Sequence, residues 1–164
     1  MKKVFIMSCL IFAALILNGC GATGAGRAAK PNYQPFAEAG PPRPSGQSYK
    51  IKGKTYRLLD TAAGYEENGE ASWYGPGFHR RKTANGERYN MNALTAAHTS
   101  LPMNTVVEVT NLENGRKVNV RINDRGPFAK NRIIDLSRQA AQAIDLGGTA
   151  QVKVKALGTA EESM

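Results

Sequence analysis

"TVVEVTNLENGRKVNVRINDRGPF", residues Thr105 to Phe128, carries the clearest strand pattern in the chain. Two runs in which apolar and polar residues alternate flank Glu113-Asn114-Gly115-Arg116. Alternation of period two puts one face of each run into a core, and Asn-Gly is the strongest short hairpin cue. In the second run Val118, Val120 and Ile122 alternate with Asn119, Arg121 and Asn123, and the run then stops at Asp124-Arg125-Gly126-Pro127. That ending is a turn signal with a carboxylate at its mouth. Asp124 therefore has three readings from sequence: a turn residue, the partner of an ion pair with Arg125, or an acid that does chemistry.

The rest of the folded segment repeats this grammar on a smaller scale. "YKIKGKTYRLL", Tyr49 to Leu59, is two short β-like runs around a Gly turn, and "GEASWYG", Gly69 to Gly75, is a short strand closed by Gly-Pro. Pro76 to Arg88 reads as a loop with a basic cluster between Gly77 and Gly86. "SRQAAQAIDLGG" reads as a helix, with Asp135 or Ser137 to cap its start and Gly147 to end it. "AQVKVKAL" alternates again as a final strand. Many short strands, much Gly and one or two short helices indicate a mainly β protein, either barrel or sandwich. The domain is expected over residues 49–157, with 158–164 a disordered tail.

The first 48 residues have a different character. Met1-Lys2-Lys3 is basic, Val4 to Leu17 is almost wholly apolar, and "LNGC" follows at once. A charged start, a short apolar run and a small-residue cleavage site make a secretory signal, and the run is shorter than the roughly 20 residues of a membrane span. The Leu-x-Gly-Cys ending resembles a bacterial lipobox. That resemblance implies a signal peptide over 1–19, cleavage before Cys20 and lipid (palmitate among the acyl chains) on Cys20. Gly rather than Asp at position 21 then favours the outer membrane, facing the periplasm, so the partner membrane is met through the N-terminal lipid. Residues 20–48 hold five of the eight prolines and no apolar periodicity, as a flexible tether would. The signal carries two of the 22 basic residues and none of the 13 acids, so the mature chain has a net charge of +7. Such a balance favours an anionic neighbour, and an exported lipoprotein meets the envelope rather than nucleic acid.

Several chemistries find no support in the sequence. There is no phosphate-cradling Gly loop of the usual spacing and no Ser in a nucleophile elbow. No Cys or Glu/His spacing suggests a metal site, and no cofactor is indicated. What remains is carboxylates beside loops and aromatics. Glu87 follows Thr83-Ala84-Asn85-Gly86, Asp124 ends a strand, and His98 ends the apolar run "LTAAH". Trp73, Tyr74 and Tyr89 lie near the same loops. Apolar sugar faces lie on aromatic rings while sugar hydroxyls need Asp, Asn, Glu and Arg partners, so the mixture suits a polysaccharide groove. Read singly, the same residues are a core aromatic, a solvated loop acid and a structural histidine.

"ASWYGPGFHRRKTANGERYNMNALTAAHTSLP" followed by "VEVTNLENGRKVNVRINDRGPFAKNRIIDLS" closely resembles the double-psi β-barrel domain of the rare lipoprotein A (RlpA-like) septal ring lytic transglycosylases. The likeness runs from about Tyr49 to Leu157. It implies a compact six-stranded barrel and cleavage of peptidoglycan between N-acetylmuramic acid and N-acetylglucosamine, leaving 1,6-anhydromuramoyl ends on peptide-poor glycan strands. The family's functional acids fall on Glu87 and Asp124, and its histidine on His98. Trp73, Tyr74, Thr83, Tyr89, Asn123 and Arg125 are then expected to bind substrate, and division-machinery proteins are expected as partners. Asp124 is the first choice for the proton-donating acid, because it caps a rigid strand. Arg121, Arg125 or nearby lysines would meet the lactyl carboxylates of the glycan, with binding that weakens as salt rises. Arg80 stands where a Gly often follows "FH", and Asn90 where an Asp often follows Tyr89. The same barrel also resembles that of expansins, which implies a non-catalytic, glycan-binding or envelope-organising alternative.

Overall fold

The computed structural model describes residues 44–159. The signal segment, Cys20, residues 21–43 of the expected tether and residues 160–164 of the expected tail lie outside the described residues. Eight strands are described: β1 (Pro44–Ile51), β2 (Lys54–Leu59), β3 (Glu66–Trp73), β4 (Thr95–His98), β5 (Thr105–Asn111), β6 (Lys117–Asp124), β7 (Arg132–Leu136) and β8 (Ala150–Thr159). One helix, α1 (Arg138–Ala143), and one 3-10 turn, Pro76–Phe78, complete the set.

β3, β7, β4, β6, β5 and β8 close in that order into a six-stranded barrel, and β1 and β2 form a separate hairpin. The barrel is mixed. β3 runs parallel to β7 and β4 parallel to β6, while the other four pairings are antiparallel. Parallel neighbours cannot be joined by a tight turn, so the chain between them must cross over, and these crossings bring long loops to the barrel wall. This is the double-psi arrangement that the resemblance implies.

The central hairpin forms as its sequence dictates. Val109 of β5 faces Val118 of β6, Val107 faces Val120, and all four are buried. Gly115 takes a φ of 72° in the turn, a conformation that a side chain disfavours. Ile122, Ile134, Leu136, Val152 and Val154 complete the barrel interior, with Ile144 from the residue after α1. Each such side chain contributes roughly 1.5–3 kcal/mol by leaving water.

Three boundaries differ from the sequence expectation. β1 starts at Pro44, inside the stretch assigned to the tether, because its backbone pairs with β2 and Tyr49 stacks on Tyr56 at 5.4 Å. β8 runs to Thr159, inside the expected tail, because Gly158 and Thr159 pair with Val106 and Thr105. α1 stops at Ala143 rather than continuing to Gly147: Ile144 and Leu146 must both enter the core, and Asp145 between them takes the left-handed turn at φ 55°. Leu146 N–H donates to the Ala141 carbonyl at 2.8 Å, a Schellman-type ending. At the other end Ser137, not Asp135, is the cap, its Oγ accepting from Ala140 N–H at 3.1 Å.

Candidate active site

β6 begins with strict alternation and breaks it at the end. Ile122 and Asn123 are both buried, because the pairing with β4 slips by one residue between Ala96 and Ala97. Such a bulge re-aims the next side chain, and here it turns Asp124 away from the barrel interior. Asp124 Oδ1 accepts from the N–H groups of Ala84 (2.9 Å) and Arg125 (2.8 Å), and Oδ2 accepts from the Tyr74 hydroxyl at 3.3 Å. Behind it Gly126 adopts φ 133° and the Gly126–Pro127 bond is cis.

The register sets a second acid beside the first. Ala97 of β4 pairs with Asp124 of β6 on one side and with Asp135 of β7 on the other, and Asp135 pairs in turn with Ser72 of β3. Register partners on adjacent strands share a face. Ser72, Asp135, Ala97 and Asp124 therefore form one row across four strands, with the smallest side chain between the two acids. Strand spacing puts the two acid backbones about 10 Å apart. Asp135 Oδ1 accepts from Ser72 Oγ at 2.6 Å, and Ser72 Oγ accepts from Arg132 Nη1 at 2.6 Å. Burial lifts the Asp135 carboxyl above the ordinary Asp range, and the Ser72 hydrogen bond and the Arg132 charge offset this only in part.

Asp124 and Asp135 line a cavity of about 640 Å³. Tyr74, Phe78 and Tyr89 supply its aromatic wall, the Tyr74 ring lying 5.1 Å from Tyr89 and 5.6 Å from Phe78. Lys52, Arg81, Lys82 and Arg125 give it a basic rim. The loop over it is tied down from within. Thr83 N–H donates to the Glu87 carbonyl at 2.8 Å, and Asn85 N–H donates to the Asn123 carbonyl at 3.2 Å.

The profile of the family described as lytic transglycolase matches residues 66–156 of this chain. The chain belongs to the lytic transglycolase family. It is 61% identical over 112 residues to the endolytic peptidoglycan transglycosylase RlpA of Campylobacter jejuni, covering 67% of this chain and 41% of that protein. It is 54% identical over 111 residues to the Neisseria meningitidis protein of the same name, covering 66% and 46%. With the Vibrio cholerae protein of that name it shares 45% over 131 residues, covering 79% and 48%. The chain thus spans less than half the length of these curated relatives.

Within this lytic transglycolase domain, the sequence-derived site residues separate into three places. Trp73, Tyr74, Thr83, Tyr89 and Arg125 line the cavity with Asp124. Glu87 and Asn123 do not. Glu87 is held bidentate by Arg121 (2.8 and 2.9 Å) and accepts from Asn123 Nδ2 at 3.1 Å. These bonds, Arg121's foremost, pull its carboxyl down to about 2, so Glu87 is a fixed negative charge and not a proton donor near neutral pH.

His98 faces another way. Its Nδ1 accepts from the N–H groups of Ser100 (3.1 Å) and Leu101 (3.0 Å), so its proton sits on Nε2. Nε2 then donates to the Tyr65 hydroxyl at 2.9 Å, and that hydroxyl donates to Glu67. Burial holds the imidazole down to about 3, and the Arg125 charge pushes the same way. His98 is therefore neutral and lines a second cavity, of about 530 Å³. Its link to the first is indirect: the carbonyls of His98 and Leu101 accept from Arg125 Nη1 at 3.2 and 2.8 Å. Asp124 thus lines the first cavity, His98 lines the second, and Glu87 is paired with Arg121 and Asn123.

Asp135, Ser72 and Arg132 also line the first cavity, and the sequence reading did not place them there. Periodicity alone places Asp135, between Ile134 and Leu136, on the outward face, so the sequence held no sign of its burial.

Proposed function

We propose that this chain is an endolytic peptidoglycan transglycosylase, cleaving between N-acetylmuramic acid and N-acetylglucosamine with formation of 1,6-anhydromuramoyl ends. The row of Ser72, Asp135, Ala97 and Asp124 carries the reading, together with the RlpA relatives. Breaking a glycosidic bond needs a carboxyl group that still holds a proton, and charge stabilisation for an oxocarbenium-like state. Asp135 is the more buried of the two acids in the row, and burial raises its carboxyl against the opposing Ser72 bond and Arg132 charge, so this reading gives the proton-donor role to Asp135 in place of Asp124. Asp135 gives its proton to the leaving glycosidic oxygen as the bond to the anomeric carbon breaks. Asp124 faces the positive charge that develops there. The muramoyl 6-hydroxyl oxygen then bonds to the anomeric carbon and returns its proton to Asp135, so the acid is regenerated and no water is consumed. Tyr74 and the exposed Phe78 offer faces for sugar rings, with the buried Tyr89 packed behind Tyr74.

On this reading the leader sequence carries the domain to the outer membrane, lipid-anchored at Cys20 and facing the periplasm. Metabolic labelling with a palmitate analogue, lost in Cys20→Ala, tests the anchor.

Mass analysis of products from purified peptide-free glycan strands tests the chemistry. Wild type should release anhydromuramoyl fragments. Asp135→Asn should lower the rate by about 10²–10⁴ and keep the far-UV spectrum of the fold. Full activity in Asp135→Asn would return the acid role to Asp124. Retention of glycan without any anhydro product would make the protein a binder.

A further inference from the structure

The second cavity borders the first, since Pro127, Ala129 and Arg132 line both. Its floor is the His98–Tyr65–Glu67 chain, in which every bond of the imidazole and the phenol is already used within the protein. The donors of the imidazole and the phenol are thus committed within the protein, and the cavity is suited to binding rather than to reaction. Its rim is cationic. Lys54 and Lys130 have no carboxylate partner among the described residues, and the one acid present, Glu67, is engaged by Tyr65. Lys54 Nζ sits 5.1 Å over the Tyr56 ring, and Tyr56 meets Phe128 edge-on at 5.3 Å, so the rim joins charge to exposed aromatic surface. Lys54 and Tyr56 come from the β1–β2 hairpin, which lies outside the residues matched by the family profile.

We propose that this second cavity is a subsite for a carboxylate-bearing unit of the same glycan strand, held by Lys54 and Lys130 while the strand continues over Pro127 into the cavity of Asp124 and Asp135. The inference rests on the glycan reading above and extends it. An alternating sugar polymer brings a carboxylate at every second unit, and a strand lying across two adjoining cavities offers one of these away from the bond being cut. The carboxylate has two sources, the lactyl group of a peptide-free unit or the stem peptide of a substituted one. In the first the lactyl acid is free; in the second it is tied up as an amide and the peptide carries the charge.

The test is equilibrium binding of defined glycan strands to the full chain, in the Asp135→Asn background so that strands stay intact. Lys54→Gln/Lys130→Gln should bind peptide-free strands about three- to tenfold more weakly at low salt, as expected for two exposed charge contacts. Strands whose carboxyl groups are reduced to alcohols should bind the lysine and glutamine forms equally. Lysine dependence on peptide-free strands assigns the lactyl carboxylate, and dependence only on peptide-bearing strands assigns the stem peptide. If the double variant binds both kinds of strand as tightly as its lysine parent, the subsite does not exist. Product release by the wild type, followed in parallel, separates the two readings. Lysine-dependent binding without product removes the transglycosylase and leaves the subsite, and product with lysine-independent binding does the reverse.

Discussion

Lowering the pH from about 7 to about 5 should cost this fold about 2 kcal/mol through a single side chain, His98. In the unfolded chain the imidazole titrates near 6.5, and in the folded chain burial holds it down to about 3. The folded state therefore refuses a proton that the unfolded state accepts throughout that window. Stability is full above 6.5 and falls as pH drops from 6.5 towards 3. Each unit of pH costs about 1.36 kcal/mol, so the loss by pH ~5 is about 2 kcal/mol. Only 3% of His98 is exposed, so solvent screening does not dilute the effect. Asp135 acts with the opposite sign: its carboxyl is raised, so the penalty for burying its charge relaxes as pH falls. Glu87 contributes only below about 4.5. Subtracting a variant isolates the histidine.

His98→Asn suits this purpose, since its amide oxygen can replace Nδ1 as acceptor for the Ser100 and Leu101 amides and it has no proton to gain. Urea denaturation of both proteins at about pH 7, 6 and 5 gives the comparison. The variant should be less stable at pH ~7, having lost the bond to Tyr65 and part of its packing. Its loss between pH ~7 and ~5 should be about 2 kcal/mol smaller than that of wild type. Parallel profiles would refute the reasoning, because they would mean that His98 either takes up its proton in the folded state or is not the titrating group.

Three further substitutions test local features. Glu87→Gln should cost about 1 kcal/mol at neutral pH, a figure kept small because the Glu87 side chain is 42% exposed. The Glu87 carboxyl is depressed, so its contribution is present above 4.5 and disappears as pH falls towards about 2; thermal melts in which the gap from wild type stays constant down that range would be inconsistent with the ion pair. Arg80 holds φ 68°, a left-handed conformation that suits Gly, so Arg80→Gly should raise stability by up to about 1 kcal/mol in chemical denaturation, and a loss would show that the Arg80 side chain has a use of its own. Gly69→Ala would set a Cβ 2.6 Å from Ile133 Cγ2 and should cost about 1–3 kcal/mol, and a neutral result would mean that β7 shifts freely at its irregular join with β3.

The strands were legible because their information is local. Val118, Val120 and Ile122 announce which face of β6 is inside, and Asn114-Gly115 announces the turn before it. The helix was legible in kind but not in length, since the need to bury both Ile144 and Leu146 is a tertiary demand that overrides the Gly-Gly pair directly after them. The family resemblance found Asp124, Glu87 and His98, yet their division of labour was hidden, because each role is set by a partner distant in sequence. Glu87 became a fixed anion through Arg121, 34 residues away, and His98 became a neutral staple through Tyr65, 33 residues away.

Asp135 was hidden for a different reason. Alternation alone says that an acid between Ile134 and Leu136 points away from the interior, and away from the interior usually means into water. Here the outer face of β7 is itself covered, and what decides the acid's environment is register. Ser72, Ala97 and Asp124 stand in one row with it only because β6 slips by one residue at Asn123 and β3 by one residue against β7 near Ile133. Remove either slip and the alternation would carry one member of the row to the opposite face. The two irregularities are therefore part of the site as much as the carboxyl groups are. A composition or a periodicity shows none of this, since a one-residue slip leaves both unchanged.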